Sequence, residues 1–173
     1  MPSMATRISR RGLLLGAGAT ALLLAAYPVV RQVGTYPPVS GMRFLDAKGA
    51  AIWRVLGDFL APPGGPLPGS GGDELSLGRI DALLGNVPEH TRTLLTALPW
   101  VFEHGTALDR YGARSLVHLP PERQQADLEA WAHSDEVIVA QLFMAARSVI
   151  GMAYFERADV IAAMGIAPGC GGT

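Results

Sequence analysis

The chain of 173 residues has a single cysteine, Cys170, few charged side chains and no acidic residue before Asp46. One cysteine excludes an internal disulfide framework, a thiolate zinc cluster and a c-type haem attachment motif. Cys170 also stands in a Gly-rich tail, unsuited to a pre-organised nucleophile. Charge is sparse (17%) while hydrophobic residues make up 49%, with mean hydropathy +0.25, a balance that excludes a disordered, solvating chain. The formal charge of −1 and the lack of a basic block beyond the first residues argue against nucleic-acid binding. No nucleophile elbow, P-loop, HExxH or paired carboxylate-x-x-His pattern occurs. No segment alternates with the period of a strand, and no internal repeat is present.

What is there begins with an address. Arg7, Arg10 and Arg11 precede an uncharged run from Gly12 to Val30 dominated by leucine, alanine and glycine. Ser9, Arg10, Arg11, Gly12, Leu13 and Leu14 together resemble a twin-arginine export signal, with an ordinary Sec signal as the competitor. Leu24-Ala25-Ala26 is a passable cleavage site. The uncharged run also approaches the ~20 residues that cross a bilayer, so an uncleaved anchor is the alternative. Cleavage after Arg31 would remove four basic residues and no acid, leaving 10 against 15. Gly16 to Ala21 matches the G-x-G-x-x-A dinucleotide fingerprint in letters only, because no strand precedes it. Residues 1–33 are thus read as a signal segment or membrane anchor, and residues 34–173 as one helical domain.

Within that domain, Pro37 and Pro38 mark a linker, and Asp46 is placed to cap a helix running to Leu60. Ile52, Val55, Leu56, Phe59 and Leu60 form its apolar stripe, and Pro62 to Gly72 (PPGGPLPGSGG) is a loop. A short helix is predicted around Leu77 to Leu84, with Ile80, Leu83 and Leu84 inward and Gly85 at its end. The next helix carries Leu94, Leu95, Leu98, Val101 and Phe102 and should kink or break at Pro99. Leu119-Pro120-Pro121-Glu122 opens a polar surface helix bearing Leu128 and Trp131. Ser134 is a natural cap for the apolar run through Phe155, and a last short helix spans Asp159 to Met164, closed by Gly165. A helix apolar all round is either a bundle's central helix or a membrane span; Glu136, Gln141, Arg147 and Ser148 favour the former. The fold expected is all-α: about five helices around a central apolar helix, Ser134–Phe155, preceded by a signal helix.

Candidate chemistry is thin. His90, His104, His118 and His133 are scattered, with no pair at ligand spacing on one helix, and read as exposed or capping residues. His104, His118 and Asp109 are the least implausible group for an enzyme. Arg147 could pair with Asp58 or Asp135, or reach outward to a partner. Trp53, Trp100 and Trp131 read as core or interface aromatics.

An ordered series of features then adds a resemblance. Leu119–Arg123 gives a "leucine, proline, Glu-Arg" helix entry, the following helix ends in Trp131, and Ala153–Phe155 forms an Ala-Tyr-Phe helix end before Met164-Gly165. With the twin-arginine segment and the helix through Leu56 to Leu60 and Pro62, this resembles the gluconate 2-dehydrogenase subunit 3 family. Those are small accessory subunits of periplasmic dehydrogenases, here most like members that accompany glucose-methanol-choline (GMC)-type flavoproteins. Arg157-Ala158 departs from the proline that many relatives carry after Tyr-Phe. The resemblance implies a non-catalytic escort with no cofactor of its own, FAD residing in a large GMC-type partner and a cytochrome c subunit as a further partner. It implies a periplasmic location, with membrane association through the N-terminus if that is uncleaved. Trp100, Trp131, Arg147, Tyr154 and Phe155 are the candidate docking residues. The rival reading is a membrane-anchored helical adaptor with no dehydrogenase partner.

Overall fold

The computed structural model describes residues 35–109 and 115–166. The signal residues Ser9 to Leu14, Cys170 and the side chain of Asp109 lie outside the described residues. The chain divides into two units, Met1–Thr35 and Tyr36–Thr173, and the helices below all belong to the second. They are α1 (Ala47–Leu60), α2 (Glu74–Asn86), α3 (Glu89–Asp109), α4 (Pro121–Ala132), α5 (Val137–Phe155) and α6 (Ala158–Ala163). A single 3-10 turn, Leu116–His118, precedes α4, and no strand occurs among the described residues. The protein is an all-α bundle.

Asp46 starts α1 as expected, its carboxylate accepting from the Gly49 amide at 2.7 Å and satisfying a first-turn donor. Ile52, Trp53 and Leu56 are fully buried from this helix. The Pro62–Gly72 loop then folds back along α1 at van der Waals distance. A Cβ on Gly57 would come within 2.2 Å of the Gly71 carbonyl oxygen, and one on Gly71 within 2.5 Å of that of Gly57. Only paired glycines permit this backbone-to-backbone approach. The loop's glycines therefore shape the core as well as ending the helix.

Helix α2 starts earlier than the apolar pattern indicated. Asp73 accepts from the Ser76 amide at 2.9 Å, and that cap adds a turn ahead of Leu77. Leu77, Ile80 and Leu84 are fully buried, while Leu83 is half-buried. Asp81 on this helix holds the chain leading into α1: its carboxylate accepts from the amides of Arg43 (3.0 Å), Phe44 (2.7 Å) and Leu45 (2.8 Å).

Of the kink or break expected at Pro99, the break does not occur; α3 runs through it. A proline inside a helix costs about 3 kcal/mol through its lost donor and ring clash. The next turn offsets that cost. Phe102 is fully buried against Trp131 and Phe143, and Glu103, also fully buried, accepts from the Tyr36 hydroxyl and the Val117 amide. Tertiary packing overrides the local signal. Leu94, expected inward, is exposed.

Helix α4 begins at Pro121, whose missing amide hydrogen costs nothing in the first turn, and it buries Leu128. Helix α5 starts at Val137 rather than after a Ser134 cap. The Ser134 hydroxyl instead accepts from the Glu136 amide at 3.2 Å, closing a local turn that delays the helix. Helix α5 contacts each of the five other helices, and buries Phe143, Ala146, Val149, Ile150, Ala153 and Tyr154. It is long and apolar enough, by length and composition, to cross a membrane, yet only a third of that window is buried within the bundle. Helix α6 closes at Gly165, whose φ of +68° suits the left-handed stop that glycine adopts without strain.

Candidate docking surface

The five side chains singled out from the sequence do not form one surface. Trp100 is buried, its ring lying 4.5 Å beneath the Lys48 ammonium. Trp131 is half-buried, with its ring 4.6 Å from that of Phe102 and lying over Gly105. Tyr154 is buried and its hydroxyl donates to the Pro68 carbonyl at 3.2 Å, tying α5 to the loop after α1. These three are committed to the interior of the bundle. Phe155 and Arg147 are exposed. Arg147 makes no ion pair among the described residues, and Asp58 instead accepts from the Ser70 hydroxyl at 2.6 Å.

Two polar centres lie inside the bundle, and the residues that form them were not foreseen as such. The first surrounds Lys48, the only lysine in the chain and 3% exposed. Its Nζ lies 3.1 Å from His104 Nε2, above Trp100, and 5.3 Å from the centre of the Tyr36 ring. Burial holds Lys48 below the ordinary lysine value, against the opposing charges of Glu103 and Asp46. Burial and then the Lys48 charge hold His104 below its usual value, with Glu103 pulling the other way. When the Lys48 ammonium donates to Nε2, a neutral His104 carries its ring proton on Nδ1. Burial, then the hydrogen bond to Glu103, pushes the Tyr36 phenol well above the tyrosine range.

His118 packs edge-on against Tyr36, and its Nδ1 meets the Ser115 hydroxyl at 2.8 Å. His118 thus lies against Tyr36 directly and His104 is joined to it through Lys48, while His90 and His133 are exposed as expected. Among the described residues no group of three or more His, Cys, Asp or Glu side chains is placed to hold a metal ion. The arrangement works as a clamp that fastens Tyr36 to α1, α3 and the 3-10 turn.

The second centre is Arg157, 3% exposed, which stands between α5 and α6 as the N-cap of α6. Its guanidinium meets Asp73 at 2.6 Å and Asp159 at 2.7 Å, and also donates to the Ser76 hydroxyl (3.0 Å) and the Ser70 carbonyl (3.2 Å). Hydrogen bonding to Asp159 raises Arg157 further despite its burial, with Asp73 adding to the effect. Burial opposes ionisation of Asp73, but hydrogen bonds from the Ser76 amide, Arg157 and the Ser70 amide outweigh it and hold this carboxyl below its usual value. The signal in the sequence was an arginine two residues before an aspartate at a helix start. Its partner Asp73 lies 84 residues away, and nothing local announces the pair.

The surface that remains open is the outward side of α5. Among the described residues, nine large apolar side chains are exposed, and five of them, Val137, Ile138, Met144, Met152 and Phe155, stand on this helix. Neither a protein-family model, nor a curated protein, nor a solved structure matches the chain.

Proposed function

We propose that this chain is the non-catalytic small subunit of an exported flavin-dependent dehydrogenase, binding, stabilising and escorting the large chain through the twin-arginine pathway. The observation that carries the reading is the bare apolar side of α5, on a helix that also touches every other helix of the bundle. An apolar stripe of this extent on a small domain marks an association surface. The paired Arg10 and Arg11 ahead of an uncharged run supply the export signal, and the series from Leu119 to Gly165 supplies the likeness to the gluconate 2-dehydrogenase subunit 3 family. Twin-arginine export carries folded, cofactor-loaded proteins, so one signal serves a preassembled pair. In this reading FAD belongs to a GMC-type partner, a cytochrome c subunit accepts the electrons, and the complex works in the periplasm.

Replacing Arg10 and Arg11 together with lysine tests the reading. Both this chain and the flavoprotein should then remain in the cytoplasm. A flavoprotein that still reaches the periplasm would sink the escort role. The uncharged run from Gly12 to Val30 favours a second reading, a membrane-anchored adaptor without a dehydrogenase. Under that reading the chain keeps its N-terminus in the membrane and carries no flavoprotein with it.

A further inference from the structure

We propose that Tyr36–Met42 is an acid-released strap, fastened beside Lys48 while His104 is neutral and swinging out about Gly41 when that histidine takes up a proton. The proposal stands on the interior of the helical unit and does not rest on the escort reading. Tyr36 is the first residue of that unit, and neither helix nor strand forms between it and α1. Pro37 and Pro38 are exposed and have no amide hydrogen, so neither fastens the strap through a backbone donor. The Tyr36 side chain does so instead. Its hydroxyl donates to Glu103 at 2.5 Å, its ring meets His118 edge-on, and the Lys48 ammonium lies 5.3 Å from the ring centre.

The far end of the strap is latched separately. Asp81 accepts from the amides of Arg43, Phe44 and Leu45, which holds the chain to α2 just past Gly41. Gly41 has a φ of +78°, and a Cβ there would meet nothing within 4 Å. Its left-handed backbone, rather than crowding, is what calls for glycine. It stands where the latched segment meets the one fastened through Tyr36. Opening about Gly41 leaves the Asp81 latch in place and lengthens the free chain by Tyr36–Met42, a reach of roughly 25 Å when fully extended.

The charges around His104 tie the closed strap to its protonation. Lys48 on α1 faces Nε2 at 3.1 Å, and Glu103 precedes His104 on α3. Asp46 also acts on Lys48 but is engaged with the Gly49 amide. Trp100, with its ring 6.4 Å from that of His104, carries no charge. His118 on the 3-10 turn is exposed and meets Tyr36. While His104 is neutral, the ammonium donates to Nε2. Protonation puts a hydrogen on Nε2, and two positive donors then face each other. Lys48 can withdraw, leaving the Tyr36 ring as it does so. Glu103 can instead turn to the new charge and give up the Tyr36 hydroxyl. Either response undoes the same fastening. Burial and the Lys48 charge hold His104 below its usual value, so acid favours the open state, by at most about tenfold per pH unit. Ile52, Trp53 and Phe102 are fully buried and do not titrate, which keeps the bundle folded through the change.

The test places 3-fluorotyrosine at position 36 of the full chain and follows its fluorine resonance, beside circular dichroism, from about pH 8 to about pH 4.5. The expected result is a move from a packed to a solvent-exposed resonance, with its midpoint below 6.5 and helix content unchanged. His104→Gln, which accepts from Lys48 without titrating, should abolish the move. Lys48→Met, which removes the facing charge, should abolish it too, and decides alone if His104→Gln loses its helices at neutral pH. His118→Gln should leave it in place. A resonance that never moves, or moves only as helix content is lost, would overturn the proposal. So would a move that survives Lys48→Met or folded His104→Gln, or one that His118→Gln removes.

Discussion

The two sides of α5 are made of similar material and meet opposite fates. Phe143, Val149, Ile150 and Tyr154 point into the bundle and are buried; Val137, Ile138, Met144, Met152 and Phe155 point away from it and are not. Composition cannot separate the two sets. What separates them is the 3.6-residue period relative to where α1, α2 and α4 sit, which depends on residues far away in the chain. The inner side carries fold stability. The outer side stays exposed.

The comparison breaks first where the inner side is cut. Phe143→Ala removes a ring that meets Phe59 and Phe102, and should destabilise the full chain by about 3–5 kcal/mol in urea unfolding. A cost near that of a surface change would mean that α5 does not pack as described. Arg157→Ala, at the inner side's C-terminal end, should cost about 3 kcal/mol, because it strands Asp73 and the Ser70–Ser76 pair without their cation. Arg157→Met, which keeps the volume, should cost less only when Asp73→Asn accompanies it, a double-mutant cycle that measures the pairing itself.

Acid should loosen the interior in two steps. His104 is held below 6.5 in the fold, so the unfolded chain takes up the proton more readily and stability falls as pH drops below that value. Asp73 and Asp159 are also held low, so their contribution is present above about 3.8 and is lost as pH falls through their folded values. His104→Gln should abolish the upper step in a pH series of thermal midpoints and leave the lower one. An upper step that survives would assign it to another group.

The smallest effect belongs to the outer side. Met144→Ala and Met152→Ala should change the stability of the chain by no more than ~0.5 kcal/mol, as exposed substitutions do. Both should weaken binding to the partner. Loss of stability with binding intact would invert the roles assigned to the two sides.

The parts of this fold legible in the sequence are those set locally. Asp46 capped its helix, the Pro62–Gly72 stretch formed a loop, and Gly165 closed the last turn because side chain and backbone act within four residues of each other. Pro99 does not end its helix, and the turn after it holds Phe102 and Glu103, which find partners on other elements. Arg157 and Lys48 were invisible as centres, their contacts spanning 84 and 56 residues. Of the docking residues, Phe155 and Arg147 emerge at the surface, whereas Trp100 and Tyr154 are spent on the core. Aromatic character marks a residue that buries area but not the side on which it does so.

The central claim is that this chain travels with a flavoprotein. Purifying it by a C-terminal tag from its own host's envelope, and recording the visible spectrum, tests that most directly. The account predicts a flavin spectrum and one large oxidoreductase chain in stoichiometric amount. A colourless chain that emerges alone would contradict it.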